Sequence, residues 1–213
     1  MFTNHFGIEI EFTGITRNKA ARIAASFLHG TITANHDHYD SYSVRASDNR
    51  VWKFMSDASI LCQKKQGRGT VSATGKYSVE MVSPVLTYYQ DIGILQGLVR
   101  CLRKAGGFAN SSCGIHIHLD GSNHTPRSIR NFVNIIASKN DLLYKALQIE
   151  PARMRYCKKM DAYLVEQMNQ QKPTDFSRIE HIWYQHLDGN AAWRYGSREN
   201  VHRHIGNGGT DHE

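Results

Sequence analysis

The amino-acid sequence predicts an α+β fold, a largely antiparallel sheet with helices on one face. Three observations lead there. Segments at 6–13, 77–83 and 113–120 alternate apolar and polar residues with the period of a strand. Segments at 16–30, 88–106 and 125–149 repeat apolar residues every three or four positions, the period of a helix lying on a core. The connections are uneven in length, which suits helices gathered on one side of a sheet.

The first strand reads "FGIEIEF". Ile8, Ile10 and Phe12 share one face, so Glu9 and Glu11 share the other. Gly14 breaks the strand. Thr16 can cap the next helix and Gly30 suits its end, with Ala20, Ile23, Ala24 and Phe27 along its apolar stripe. Residues 42–62 read as two short strands joined by "MSDAS", and 63–76, "QKKQGRGTVSATGK", as a mobile surface loop rich in Gly and Lys. Pro84 closes the strand at 77–83. The helix at 88–106 carries basic residues in its last turns, which favours its C-terminal end, and stops at Gly106-Gly107. Thr125 and Pro126 provide the cap and first position of the helix at 125–149. Shorter helices follow at 161–170 and 175–187. One domain over 1–195 is expected, with 196–213 as a loose tail that has little to bury.

Composition narrows the function. The chain has 213 residues, 40% hydrophobic and 21% charged, with a formal net charge of +7 and a pI near 9.3. That balance admits polyanionic partners. The charge is not gathered in one long run, so nucleic acid is not the expected partner. Cys62, Cys101, Cys113 and Cys157 lack CxxC spacing, which argues against a zinc knuckle. No apolar run is long enough to span a membrane and no signal segment is seen, so a cytoplasmic protein with free thiols is expected. No long heptad pattern indicates an oligomer.

Three strands carry the chemistry. "GIHIHLD" at 114–120 places His116 and His118 on one face, and "YSVEMVS" at 77–83 places Ser78 and Glu80 together. If these strands neighbour the first, one sheet face holds Glu9, Glu11, Glu80, His116 and His118. A carboxylate-rich set with few imidazoles favours Mg²⁺ or Mn²⁺ over zinc. The loop at 67–76 is no Walker motif: five residues separate Gly69 from Gly75-Lys76, Tyr77 stands where Ser or Thr is required, and a strand follows. Its amides and Lys76 could still cover a bound nucleotide. "ARMRYCKKMD" at 152–161 is either a solvated basic face or a phosphate or carboxylate contact, for which the planar forks of Arg153 and Arg155 are suited.

In order and spacing, "FGIEIEF", Trp52 with "SDAS" at 56–59, "VEMVSP" at 79–84, "GIHIHLD", "RMRYCKKMD" at 153–161 and "WY" at 183–184 resemble the amidoligase family, within the glutamine synthetase / glutamate–cysteine ligase superfamily. The resemblance covers about residues 6–195. It implies a glutamine synthetase-like antiparallel sheet curved around two or more Mg²⁺ (or Mn²⁺) ions, and an ATP-dependent carboxylate–amine ligase working through an acyl phosphate. It also implies Glu9, Glu11, Glu80 and His116 as metal ligands, His118 near the nucleotide, and Arg153 and Arg155 at phosphate or acyl phosphate. The substrates implied are amino acids, amines or peptides. One departure stands out: after Tyr195 no strand with the family's E-F-R type motif is found, which puts turnover in doubt. The alternatives are a two-metal phosphoesterase or nuclease, or a non-catalytic nucleotide-binding remnant of a ligase.

Overall fold

The computed structural model describes residues 4–149, 151–154 and 156–184. They fall into two compact units, one spanning Asn4–Leu119 and one beginning at Asp120. The domain expected over 1–195 spans both, and the expected tail at 196–213 lies outside the described residues.

The first unit is built on strands β1 (His5–Phe12), β2 (Thr31–Ala34), β3 (Tyr42–Arg45), β4 (Val51–Met55), β5 (Gln63–Gln66), β6 (Gly69–Ser72), β7 (Val79–Val82), β8 (Leu86–Thr87) and β9 (Ile115–Leu119), with helices α1 (Arg17–Phe27) and α2 (Tyr88–Lys104). Seven strands form an open sheet, in the order β2-β3-β4-β7-β1 with β8 and β9 also on β1. Each of these pairings is antiparallel, so the α+β, mostly antiparallel expectation holds. Phe6 pairs with both Leu86 and Leu119, while Glu9 pairs with both Val82 and His116. The short β8 therefore continues the β7 edge of β1 past Pro84, and β9 lines the other edge.

One face of this sheet is the core. Trp52, Phe54, Val79, Met81 and Phe12 are buried against Ala20, Ala21 and Ala24 of α1 and Leu95, Leu98 and Leu102 of α2. The small alanines of α1 let the helix approach the sheet closely. Thr16 caps α1 as expected, accepting a hydrogen bond from the Lys19 N–H. Gly30 plays a different part from the one expected. His29 takes the left-handed conformation past the helix (φ 51), whereas Gly30 is needed because a Cβ there would lie 2.2 Å from the Arg45 carbonyl oxygen.

The segment at 63–76 differs from the expected loop. β5 and β6 pair as a hairpin, turning at Gly67 with φ +59, and a 3-10 turn follows at Gly75–Tyr77. Both strands are polar and largely exposed, so no apolar alternation marks them. β2 escaped the reading because its Thr-Ile-Thr-Ala alternation covers only four residues, all of them exposed.

The second unit holds α3 (Pro126–Ala146), α4 (Ala162–Gln171) and α5 (Phe176–Tyr184). Its core is Val133, Leu164, Met168, Ile179 and Ile182. Thr125 caps α3 through a reciprocal capping box with Ser128, and Pro126 opens the helix.

Candidate functional site

The face of the sheet opposite α1 and α2 is polar. Register explains its layout, because residues directly opposite one another across antiparallel strands project to the same side. Lys53, Val82, Glu9 and His116 form one row across β4, β7, β1 and β9. Met55, Glu80 and Glu11 form the next. Glu9, Glu11, Glu80 and His116, four residues expected to meet, are thus neighbours by backbone pairing alone, and His118 joins them two residues along β9.

Glu9 sits between the two imidazoles. Its Oε2 is 3.0 Å from His116 Nδ1 and its Oε1 is 3.1 Å from His118 Nε2. These hydrogen bonds hold the Glu9 carboxyl well below the usual carboxylate range, against a burial effect that would raise it. The bond to Glu9 also raises the His116 pKa, opposed by burial and helped by the charges of Glu9, Glu11 and Glu80. Glu11 is buried; its Oε2 accepts the Gly114 N–H at 2.7 Å, and its Oε1 lies 3.9 Å from His116 Nε2.

Glu80 is the outlier. Its carboxylate has no hydrogen-bond or ion-pair partner among the described residues. Burial, then the charges of Glu9, Asp57 and Glu11, push its pKa up to about 7. Asp57 enters here, and sequence reasoning missed it as a ligand. Ligand oxygens of Glu11, Asp57 and Glu80 all lie within 4.8 Å of one another. A partnerless acid among three further carboxylates is the setting that a cation relieves. An all-oxygen donor set suits Mg²⁺ or Mn²⁺, and the adjoining Glu9–His116–His118 group adds imidazole donors. The residues therefore fit a divalent cation. The signal available in the sequence was "SDAS": Lys53, Met55 and Asp57 keep the period-2 alternation of β4 just beyond its end.

The basic residues are distributed differently. Lys53 stands in the same row as Glu9 and was not foreseen. Lys76 is exposed in the 3-10 turn. Arg153 lies in the second unit, in the 3-10 turn Pro151–Arg153, with its guanidinium over the Tyr156 ring at 4.7 Å. Arg155 lies outside the described residues. Among the described residues, no helix is long and apolar enough to cross a membrane.

The family model described as "Putative amidoligase enzyme" matches residues 3–205. No curated protein and no solved structure matches the chain.

Proposed function

Since the chain belongs to this amidoligase family, we propose that it is an ATP-dependent ligase joining a carboxylate to an amine. In this reading ATP gives its γ-phosphoryl group to a substrate carboxylate oxygen, forming an acyl phosphate and ADP. The amine nitrogen then attacks the acyl carbon, the C–O bond to phosphate breaks, and the nitrogen loses a proton as the amide forms. The acid and amine are of the amino acid or peptide class. The observation that carries the proposal is the three-carboxylate cluster Glu11–Asp57–Glu80 beside Glu9 and His116. A bound Mg²⁺ or Mn²⁺ would supply charge neutralisation at the phosphate oxygens, which is most of what phosphoryl transfer needs from a protein.

The remaining parts follow from the side chains. Glu9 keeps both imidazoles oriented, so that His116 serves the metal set and His118 faces the nucleotide. Lys53, Lys76, Arg153 and Arg155 are candidate contacts for phosphate oxygens on chemical type. A glutamine synthetase-like arrangement and a cytoplasmic setting belong to the same proposal.

Calorimetric titration of a non-hydrolysable ATP analogue, with and without Mg²⁺, tests it. The expected result is binding that requires Mg²⁺, followed by ADP release on screening amine and acid pairs. Binding without ADP release under any pair would favour the non-catalytic remnant. Metal-dependent cleavage of a phosphodiester without ATP would favour the phosphoesterase.

A further inference from the structure

We propose that Ser78 is a positioning residue that holds the Asp57 carboxylate in the metal cluster, an inference resting on the metal reading above. β4 and β7 run antiparallel with Met55 opposite Glu80, the last backbone pair of that ladder. Continuing the register by two residues sets Asp57 opposite Ser78. Backbone pairing has ended there, yet the rung is filled. The Ser78 hydroxyl accepts the Asp57 N–H at 2.9 Å and donates to the Asp57 carbonyl oxygen at 2.7 Å. One side chain thus does what a backbone N–H and C=O pair would do, and it fixes both backbone polar groups of a residue outside any strand.

Ser78 is itself anchored. It is buried, 4% exposed, as is Arg17 at 5%. Arg17 Nη1 donates to the Ser78 carbonyl at 2.8 Å and to the Gly75 carbonyl at 2.6 Å. Its Nη2 pairs with Asp40 Oδ2 at 2.6 Å. A buried guanidinium with this many acceptors leaves the Ser78 backbone little freedom. On the Asp57 side, the Ser59 N–H donates to Asp57 Oδ1 at 2.6 Å, which sets the carboxylate's rotation. The arrangement carries rigidity from α1 through Ser78 to Asp57. A loop residue becomes as well placed as Glu11 and Glu80 on their strands.

The role is specific in a way that mere fold support is not. If Ser78 acts through Asp57, its removal matters to the metal only while Asp57 is a ligand. The test is Mn²⁺ titration, read by the free-ion electron paramagnetic resonance signal, on wild type, Ser78→Ala, Asp57→Asn and the double variant. Ser78→Ala is expected to weaken Mn²⁺ binding about 10-fold, the scale on which losing a ligand's orienting partner acts. In the Asp57→Asn background the same change is expected to shift affinity by less than about 2-fold. Unchanged affinity in Ser78→Ala, or an equal loss in both backgrounds, would overturn the proposal while leaving the metal site standing. Absence of Mn²⁺ binding in wild type would overturn the metal reading and this inference with it. Ser78→Cys, close in size but a weak hydrogen-bonding group, carries the same comparison if the alanine variant does not fold.

Discussion

The two faces of the central sheet are made by alternate residues of the same strands and obey opposite rules. On one face Trp52, Phe54, Val79 and Met81 are 0–1% exposed and packed against α1 and α2. On the other, Glu9, Glu11 and Glu80 crowd like charges together beside His116. The first face stabilises the fold by removing apolar area from water. The second works against it at Glu80, which is held among neighbours of its own sign. A sheet can carry such a cluster because the helix-covered face secures the backbone, and backbone pairing then leaves the carboxylates nowhere else to go.

Mutations should separate the faces. The largest effect is expected for Phe54→Ala, which empties a fully buried site and should cost about 3–5 kcal/mol in urea unfolding. A loss below about 1 kcal/mol would mean that this face is not the core. Glu80→Gln should do the reverse. Mn²⁺ affinity is expected to fall at least 10-fold, on the scale of lost metal-site contacts, while the metal-free melting temperature stays level or rises because a repelling charge is gone. A clear drop in melting temperature would show that Glu80 has a stabilising partner after all.

The pH response of the metal-free protein sharpens the contrast. Glu80 has its folded pKa raised from 4.5 to about 7, so between those values the folded protein keeps a proton that the unfolded chain releases, and stability falls as pH climbs through this window. His116, also raised, contributes stability below its ordinary value of 6.5 and loses it as pH rises through its folded pKa. Glu9, lowered, works the other way: its contribution is present above 4.5 and lost as pH falls. Melting temperatures without metal should therefore decline from about pH 5 to pH 8. Adding Mn²⁺ should raise them more at pH 8 than at pH 5, since cation and proton compete for Glu80. A flat metal-free profile would contradict this account of the cluster. The smallest effect is expected for Lys76→Ala, in its exposed turn: Mn²⁺ binding unchanged, and Mg²⁺-dependent affinity for the ATP analogue lowered by less than about 3-fold, as befits a solvent-screened charge. A 10-fold loss would place that turn over the nucleotide.

What could be read from the sequence follows the same division. β1, β7 and β9 were legible because their apolar residues alternate against Glu9, Glu11, Glu80, His116 and His118, and period 2 leaves no choice of face. α1, α2 and α3 were legible from their stripes and, at Thr16 and Thr125, their caps. β2 and the β5–β6 hairpin were not, since four-residue strands that are almost wholly exposed are too short for burial to stamp a clear pattern on them. Asp57 was missed as a candidate ligand for another reason. Its alternation with Lys53 and Met55 was there to read, but the strand ends before it, and the side-chain rung from Ser78 that fixes its place joins residues 21 apart, which no local pattern records.

The pairing of β1 also bears on how the chain emerges from the ribosome. β1 is made before β9, and Glu11 cannot meet Gly114 until 103 further residues have been made, about 5–20 s at ordinary elongation rates. For that interval an apolar strand with Phe6, Ile8, Ile10 and Phe12 has no β9 to cover its edge, the condition under which nascent chains stick to one another. Glu9 and Glu11 interrupt the apolar run at alternate positions. Charges set within an apolar run in this way are the pattern that keeps a waiting strand soluble.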